Sequence, residues 1–148
     1  MMSDHQGYAY RRLQMVEALR RSGIEDERVL AAMAEVPRHL FVPSEMRHQA
    51  YSDSVSISIG CEQTISQPRV VALMTQAARV GPEDRVLEVG TGSGYQAALL
   101  ACLARFVFTV ERYAVLAREA KRRLDMTDHE CLGRLSATLP SWAGEPVR

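Results

Sequence analysis

The stretch Val86-Leu87-Glu88-Val89-Gly90-Thr91-Gly92-Ser93-Gly94-Tyr95-Gln96 decides how this chain folds. A short apolar run stops at three glycines spaced two apart, and an unbroken apolar run, Ala97 to Ala104, follows. This predicts a strand, a tight loop and a helix start. Glycine reaches positive φ and carries no side chain, so such a loop brings backbone N–H groups close to a ligand, and the helix N-terminus adds partial positive charge. The string is also compatible with a plain glycine-rich turn, and only its flanks decide between the two.

Upstream, Gly81-Pro82-Glu83-Asp84 reads as a turn, and Arg85 to Val89 as the kind of strand found in the centre of a parallel sheet. Downstream, a helix from about Gly94 to Leu103 leads to a β-branched and aromatic strand, Phe106 to Val110, which ends in Glu111, twenty-one residues after Gly90. The result is a βαβ unit. An acid at the tip of the second strand can accept both hydroxyls of a ribose held by the first loop, because its two oxygens suit a vicinal diol. Glu111 is otherwise a solvated loop carboxylate or an acid ahead of the next helix, Ala114 to Leu124. Beyond that helix Asp125 to Asp128 reads as a loop, Cys131 to Leu135 as a third short strand, and Thr138 to Gly144 as turn-rich.

Ahead of the unit, Leu13, Val16 and Leu19 mark one face of a helix over about Tyr10 to Arg21, which Gly23 can close. Glu25 and Asp26 open a second helix lined by Val29, Leu30, Met33 and Ala34, and Pro37 stops it. Pro37 to Pro43 is an irregular connector that buries Leu40 and Phe41, and Ser44 can cap a short helix through Gln49. His39 and His48 read as surface or hydrogen-bonded packing residues. Val55, Ile57 and Ile59 alternate with serines up to Gly60, predicting a half-buried strand. Gly60 to Pro68 is then a polar loop into a helix from Pro68 to about Ala78. Ser66 or Gln67 stands at its N-cap and Pro68 in its first turn. No Gly-x-Ser-x-Gly elbow supports a serine hydrolase.

At 148 residues with 47% hydrophobic, the chain fits one structural domain with a real core. Eighteen basic and eighteen acidic residues cancel, so no global field attracts nucleic acid or an anionic membrane. The apolar runs are too short to span a bilayer and the start lacks a secretory pattern, so a cytoplasmic protein is expected. Cys61, Cys102 and Cys131 are widely spaced, Cys102 reading as core, and neither they nor His5, His39, His48 and His129 have metal-ligand spacing. No metal site is expected.

Four segments together, Val36 to Pro43, Gln63-Thr64-Ile65-Ser66-Gln67-Pro68, Val86 to Gln96 and Thr109-Val110-Glu111-Arg112, closely resemble the protein-L-isoaspartate O-methyltransferase family. The resemblance covers roughly residues 8 to 124. It implies an α/β Rossmann-like methyltransferase fold, a doubly wound, mostly parallel sheet with an N-terminal helical extension. It implies S-adenosyl-L-methionine as cofactor and isoaspartyl-containing proteins or peptides as acceptors. By the same resemblance Ser66 is the active-site serine, with Thr64 and Ile65 beside it on the substrate, and a residue at that place can be both cap and catalyst. By the resemblance the backbone of Gly90, Thr91, Gly92, Ser93 and Gly94 holds the methionine part of the donor and Glu111 its ribose, with Glu88 a further cofactor-binding residue. Residues 1–80 then form the helical and acceptor-site segment, and 81–148 the donor-binding part of the same domain.

Relatives carry an acid near the adenine after the third strand, where Ser136-Ala137-Thr138 stand here, so Ala137 replaces it. They also continue with further strands, so the chain is expected to be a C-terminally truncated, incomplete version of the fold. One edge of the Arg85 to Val89 strand would then be unpaired beside an exposed apolar neighbourhood, inviting self-association.

Overall fold

The computed structural model describes residues 4–127, 132 and 135–137. Helix α1 (Asp4–Arg21) starts earlier than the periodicity alone indicates. Met15, Val16 and Leu19 are its buried residues, whereas Leu13 is 58% exposed. At 100° per residue Leu13 lies about 120° from Leu19, too far round to share its face. Gly23 ends the helix at φ +100°, allowing the Ile24 N–H to reach back to the Leu19 carbonyl at 3.2 Å. Asp26 caps α2 (Glu27–Glu35), its side chain accepting from the N–H groups of Arg28 and Val29. Helix α2 packs against α1 and against the helices Pro68–Ala78 and Tyr95–Leu103.

The connector after Pro37 is a 3-10 helix, Arg38–Phe41, in which Phe41 is buried and Leu40 half-buried. A second one, Ser44–Gln49, contains Ser44 as its first residue, with Pro43 in the cap position. The Ser44 hydroxyl turns to Glu45 at 3.1 Å, so it does not cap.

The segment expected to be a polar loop is instead half of a hairpin. Strands β1 (Ile57–Gly60) and β2 (Gln63–Ile65) pair antiparallel, Ile57 opposite Ile65 and Ser58 opposite Thr64. Ile57, Ile59 and Ile65 are buried, so the hairpin has an apolar underside. Its two turn residues, Cys61 and Glu62, have φ +50° and +59°. Such a tight turn normally takes Asn-Gly or Asp-Gly, and Cys-Glu gives no sign of it.

Helix α3 (Pro68–Ala78) has Gln67 at its N-cap, with no side-chain cap bond. The cap comes from far upstream: Asp53 Oδ1 accepts from the Arg69 N–H at 2.8 Å. Ser66 therefore stands just outside the helix, relieved of capping. Its hydroxyl is exposed and makes no hydrogen bond among the described residues.

The three-stranded sheet has the order β3 (Arg85–Val89), β4 (Phe106–Val110), β5 (Leu135–Ala137), all parallel. Strand β5 lies further along than Cys131 to Leu135, so Ser136 and Ala137 belong to the strand rather than to a loop after it. Cys131, Thr138 and Trp142 lie outside the described residues. The crossovers are α4 (Tyr95–Leu103) and α5 (Ala114–Met126). Helix α4 is buried along nearly its whole length, and Val107 and Thr109 are buried with it.

Side chains alternate along a strand, and the other face of the sheet is open. Leu87 is 63% exposed, Val89 80% and Phe106 46%. Two arginines fold over this face, Arg85 above the Phe108 ring and Arg105 above Phe106, each at 5.6 Å. Among the described residues β3 pairs only with β4, so it is an edge strand here. No described helix is long and apolar enough to cross a membrane.

Candidate active site

The glycine loop leaves β3 and turns sharply at Gly90, Gly92 and Gly94, with φ of +94°, +54° and +89°. The turns are held from the second strand: the Gly90 and Thr91 N–H groups both bond the Val110 carbonyl, at 2.8 and 3.1 Å. Gly94 caps α4 and packs closely. A Cβ there would lie 3.4 Å from Ala120 and Leu124 of α5, so glycine serves both conformation and contact.

Two cavities flank this loop and share Thr64, Val89, Gly90 and Gly92 in their walls. The first, about 240 Å³, brings Thr64, Ile65 and Ser66 of the hairpin exit opposite Glu88, Gly90, Thr91, Gly92 and Ser93, with Tyr95 at its base. The second, about 400 Å³, is walled by Glu111, Arg112 and Tyr113 on one side and Ile59 and Gln63 of the hairpin on the other. Every residue picked from the sequence as a site residue thus lines one or other cavity, except Gly94, which acts through packing.

Glu111 is 6% exposed, and both its oxygens are engaged: Oε2 accepts from the Gly92 N–H and Oε1 from the Tyr113 N–H, each at 2.9 Å. A carboxylate oxygen has two lone-pair directions, so each keeps one for a ligand hydroxyl. The residue is therefore a latch on the loop with acceptor capacity left over.

Glu88 is reached through two threonines. The Thr109 hydroxyl donates to Glu88 Oε2 at 2.5 Å and lies 2.6 Å from the Thr91 hydroxyl. Burial pushes the Glu88 carboxyl up to about 7, the Thr109 hydrogen bond opposes this, and the nearby Glu111 charge adds to it. Burial likewise pushes the Tyr95 phenol up to about 12, against the pull of Arg38.

Sequence reasoning missed Arg38, Asp53, Tyr95 and Thr109. Arg38, Tyr95 and Thr109 did sit in quoted motifs, but nothing in their spacing says that the arginine turns inward onto the tyrosine or that the threonine joins two site residues.

A βαβ unit with a glycine loop, a buried glutamate just after the second strand and a second polar segment across the loop defines an α/β protein of the Rossmann-like methyltransferase fold class. Residues 10–139 match the family model of Protein-L-isoaspartate(D-aspartate) O-methyltransferase (PCMT), and the chain belongs to this family. It is 50% identical over 123 residues to a protein-L-isoaspartate O-methyltransferase of Dictyoglomus turgidum, covering 83% of this chain and 56% of the relative. With that of Ruegeria pomeroyi it shares 59% over 110 residues, 74% of this chain and 51% of the relative. The chain spans about half the length of the curated relatives it matches.

A solved protein-L-isoaspartate O-methyltransferase superposes with a TM-score of 0.71 at 26% identity, over 86% of this chain and 41% of the other. A Plasmodium falciparum chain described as a β-aspartate methyltransferase in complex with S-adenosyl-L-homocysteine gives the same TM-score at 24% identity, over 86% of this chain and 62% of its own.

Proposed function

We propose that this chain carries the donor- and acceptor-binding part of a methyltransferase that moves a methyl group from S-adenosyl-L-methionine to the carboxyl of L-isoaspartyl residues in damaged proteins. The observation that carries the reading is the glycine loop lying between two cavities, with Ser66 across one and Glu111 in the other. The residues fit the donor: Glu111 has acceptor capacity left for a ribose diol, and the loop turns at glycines where a side chain would be strained. When bound, the donor supplies an electrophilic methyl group on a positively charged sulfur.

An acceptor carboxylate is already ionised at pH 7, so no general base has to be found among the side chains. Ser66, with its hydroxyl free, orients that carboxylate by donating a hydrogen bond. Holding both reactants in line can supply a large share of the about 7–11 kcal/mol available from orientation.

Incubation with labelled S-adenosylmethionine and an isoaspartyl peptide beside its aspartyl twin tests this, label being expected on the isoaspartyl peptide alone. Ser66→Ala is expected to slow transfer about tenfold, the worth of one hydrogen bond of about 1.4 kcal/mol, with donor affinity unchanged. Loss of donor affinity in that variant would make Ser66 a structural residue instead.

A second reading is a non-catalytic remnant that binds the donor or a protein partner, or a related enzyme that modifies a dedicated peptide. The β3 edge beside the first cavity, unpaired among the described residues, favours the remnant. Donor binding by calorimetry without label transfer would select it.

The open sheet face supports self-association as well, since a second copy offers the same apolar residues Leu87, Val89 and Phe106 across a two-fold axis. Sedimentation is expected to show a dimer that Val89→Lys weakens. A compact monomer at all concentrations would refute this.

A further inference from the structure

We infer that Arg38 is a positioning residue that fixes the Ser66 segment against the glycine loop. Its side chain is 1% exposed, although it lies in a connector between two prolines. Nε donates to the Ala50 carbonyl at 2.6 Å and Nη2 to the Ser66 carbonyl at 2.8 Å. The guanidinium also lies over the Tyr95 ring, 4.8 Å from its centroid. Tyr95 is the first residue of α4, directly after Gly94, and it lines the same cavity as Ser66. One planar group thus touches the acceptor side through the Ser66 backbone and the donor side through the ring at the end of the loop.

Burying this cation is costly, and the site does not fully compensate it. Nη1 and the Tyr95 hydroxyl are both buried, and neither makes a well-formed hydrogen bond beyond the attraction between the guanidinium and the phenol. Burial pushes the Arg38 pKa down, opposed by the neighbouring tyrosines and Asp53. An apolar side chain of similar length would fill the space more cheaply. What it could not do is hold two carbonyls and stack on a ring at once, which needs the rigid guanidinium fork.

The division of labour around Ser66 is then complete. Asp53 caps α3 in its place, Arg38 anchors its carbonyl, and its hydroxyl is left for the cavity. This role of Arg38 rests on the proposed use of Ser66 in methyl transfer, but the backbone fixation does not.

The test compares Arg38→Met and Arg38→Lys in the full chain. Hydrogen exchange over residues 60–69 is expected to quicken at least tenfold in the Met variant. Exchange in α4 and β4, and the affinity for S-adenosylhomocysteine, are expected to change less than threefold. The Lys variant, with one compact donor group, is expected to fall between the two. In the transfer assay kcat is expected to drop at least tenfold in the Met variant, with KM for the labelled donor unchanged.

Exchange that quickens evenly over α2, α4 and β4 would make Arg38 an ordinary core residue and overturn the inference, as would unchanged exchange at 60–69. Should the Met variant fail to fold, the Lys variant decides by the same pattern. Absence of methyl transfer in the wild-type chain would refute the proposed activity, while the exchange pattern would still settle the role of Arg38.

Discussion

Replacing Glu111 with alanine is expected to weaken S-adenosylhomocysteine binding about 100-fold, measured by titration calorimetry. The carboxylate can offer two charge-assisted hydrogen bonds to a ribose diol, together worth about 3 kcal/mol. The same substitution orphans the Gly92 and Tyr113 N–H groups, which the two oxygens now hold at 2.9 Å. The loop then loses its latch, and unfolding free energy is expected to fall by about 2 kcal/mol as well.

Glu111→Gln weakens both roles together, and by less than alanine does. An amide keeps one oxygen for a backbone N–H and turns an NH₂ group toward the other, so both loop fixation and diol acceptance are half lost. Donor affinity within twofold of wild type in the alanine variant would show that Glu111 serves the loop alone.

The two strands of the βαβ unit were legible to the residue, Arg85–Val89 and Phe106–Val110, and so was helix Pro68–Ala78. Their signals are local: a β-branched run stopped by glycine, or a proline where a helix can begin. The position of Glu111 was legible for the same reason, because the strand that carries it pairs in register with the strand before the loop.

What stayed hidden depends on contacts distant in sequence. Cys61 and Glu62 make a hairpin turn without turn residues, because the buried Ile57, Ile59 and Ile65 fix the pairing and the turn must follow. The α3 N-cap position falls on Gln67, one of the two residues the sequence offers, but its side chain makes no cap bond and Asp53 supplies one from across the fold. Arginine is read as a surface residue by default, and only the placement of two carbonyls and Tyr95 turns Arg38 inward. Strand β3 carries the apolar pattern of a central strand, yet is an edge among the described residues. Sequence records the environment a strand is suited to, and β3 is suited to cover that these residues do not provide.

Unfolding free energy is expected to decline by about 3 kcal/mol as pH rises from about 4.5 to beyond 7, through Glu88 alone. Its carboxyl stands at about 7 in the folded chain against an ordinary 4.5, a raised value caused first by burial. The neutral form suits the folded site, so the contribution is fully present below 4.5 and is lost as pH climbs through 7. Glu88→Gln removes the titration while keeping a side chain that can accept from Thr109. Denaturant unfolding of both proteins from pH 4.5 to 8.5 isolates the effect, because every other titrating group cancels in the difference. The glutamine variant is expected to gain about 3 kcal/mol on wild type across that range, and parallel profiles would mean that Glu88 ionises at its ordinary pH. The contact reaches the loop, since Thr109 has a single proton. When it donates to Glu88, the Thr91 hydroxyl must donate to Thr109, so the hydrogen bond to Glu88 sets the orientation of a hydroxyl on the cavity wall. A cationic ligand in the 240 Å³ cavity favours ionised Glu88, and its binding is expected to release a proton near pH 7.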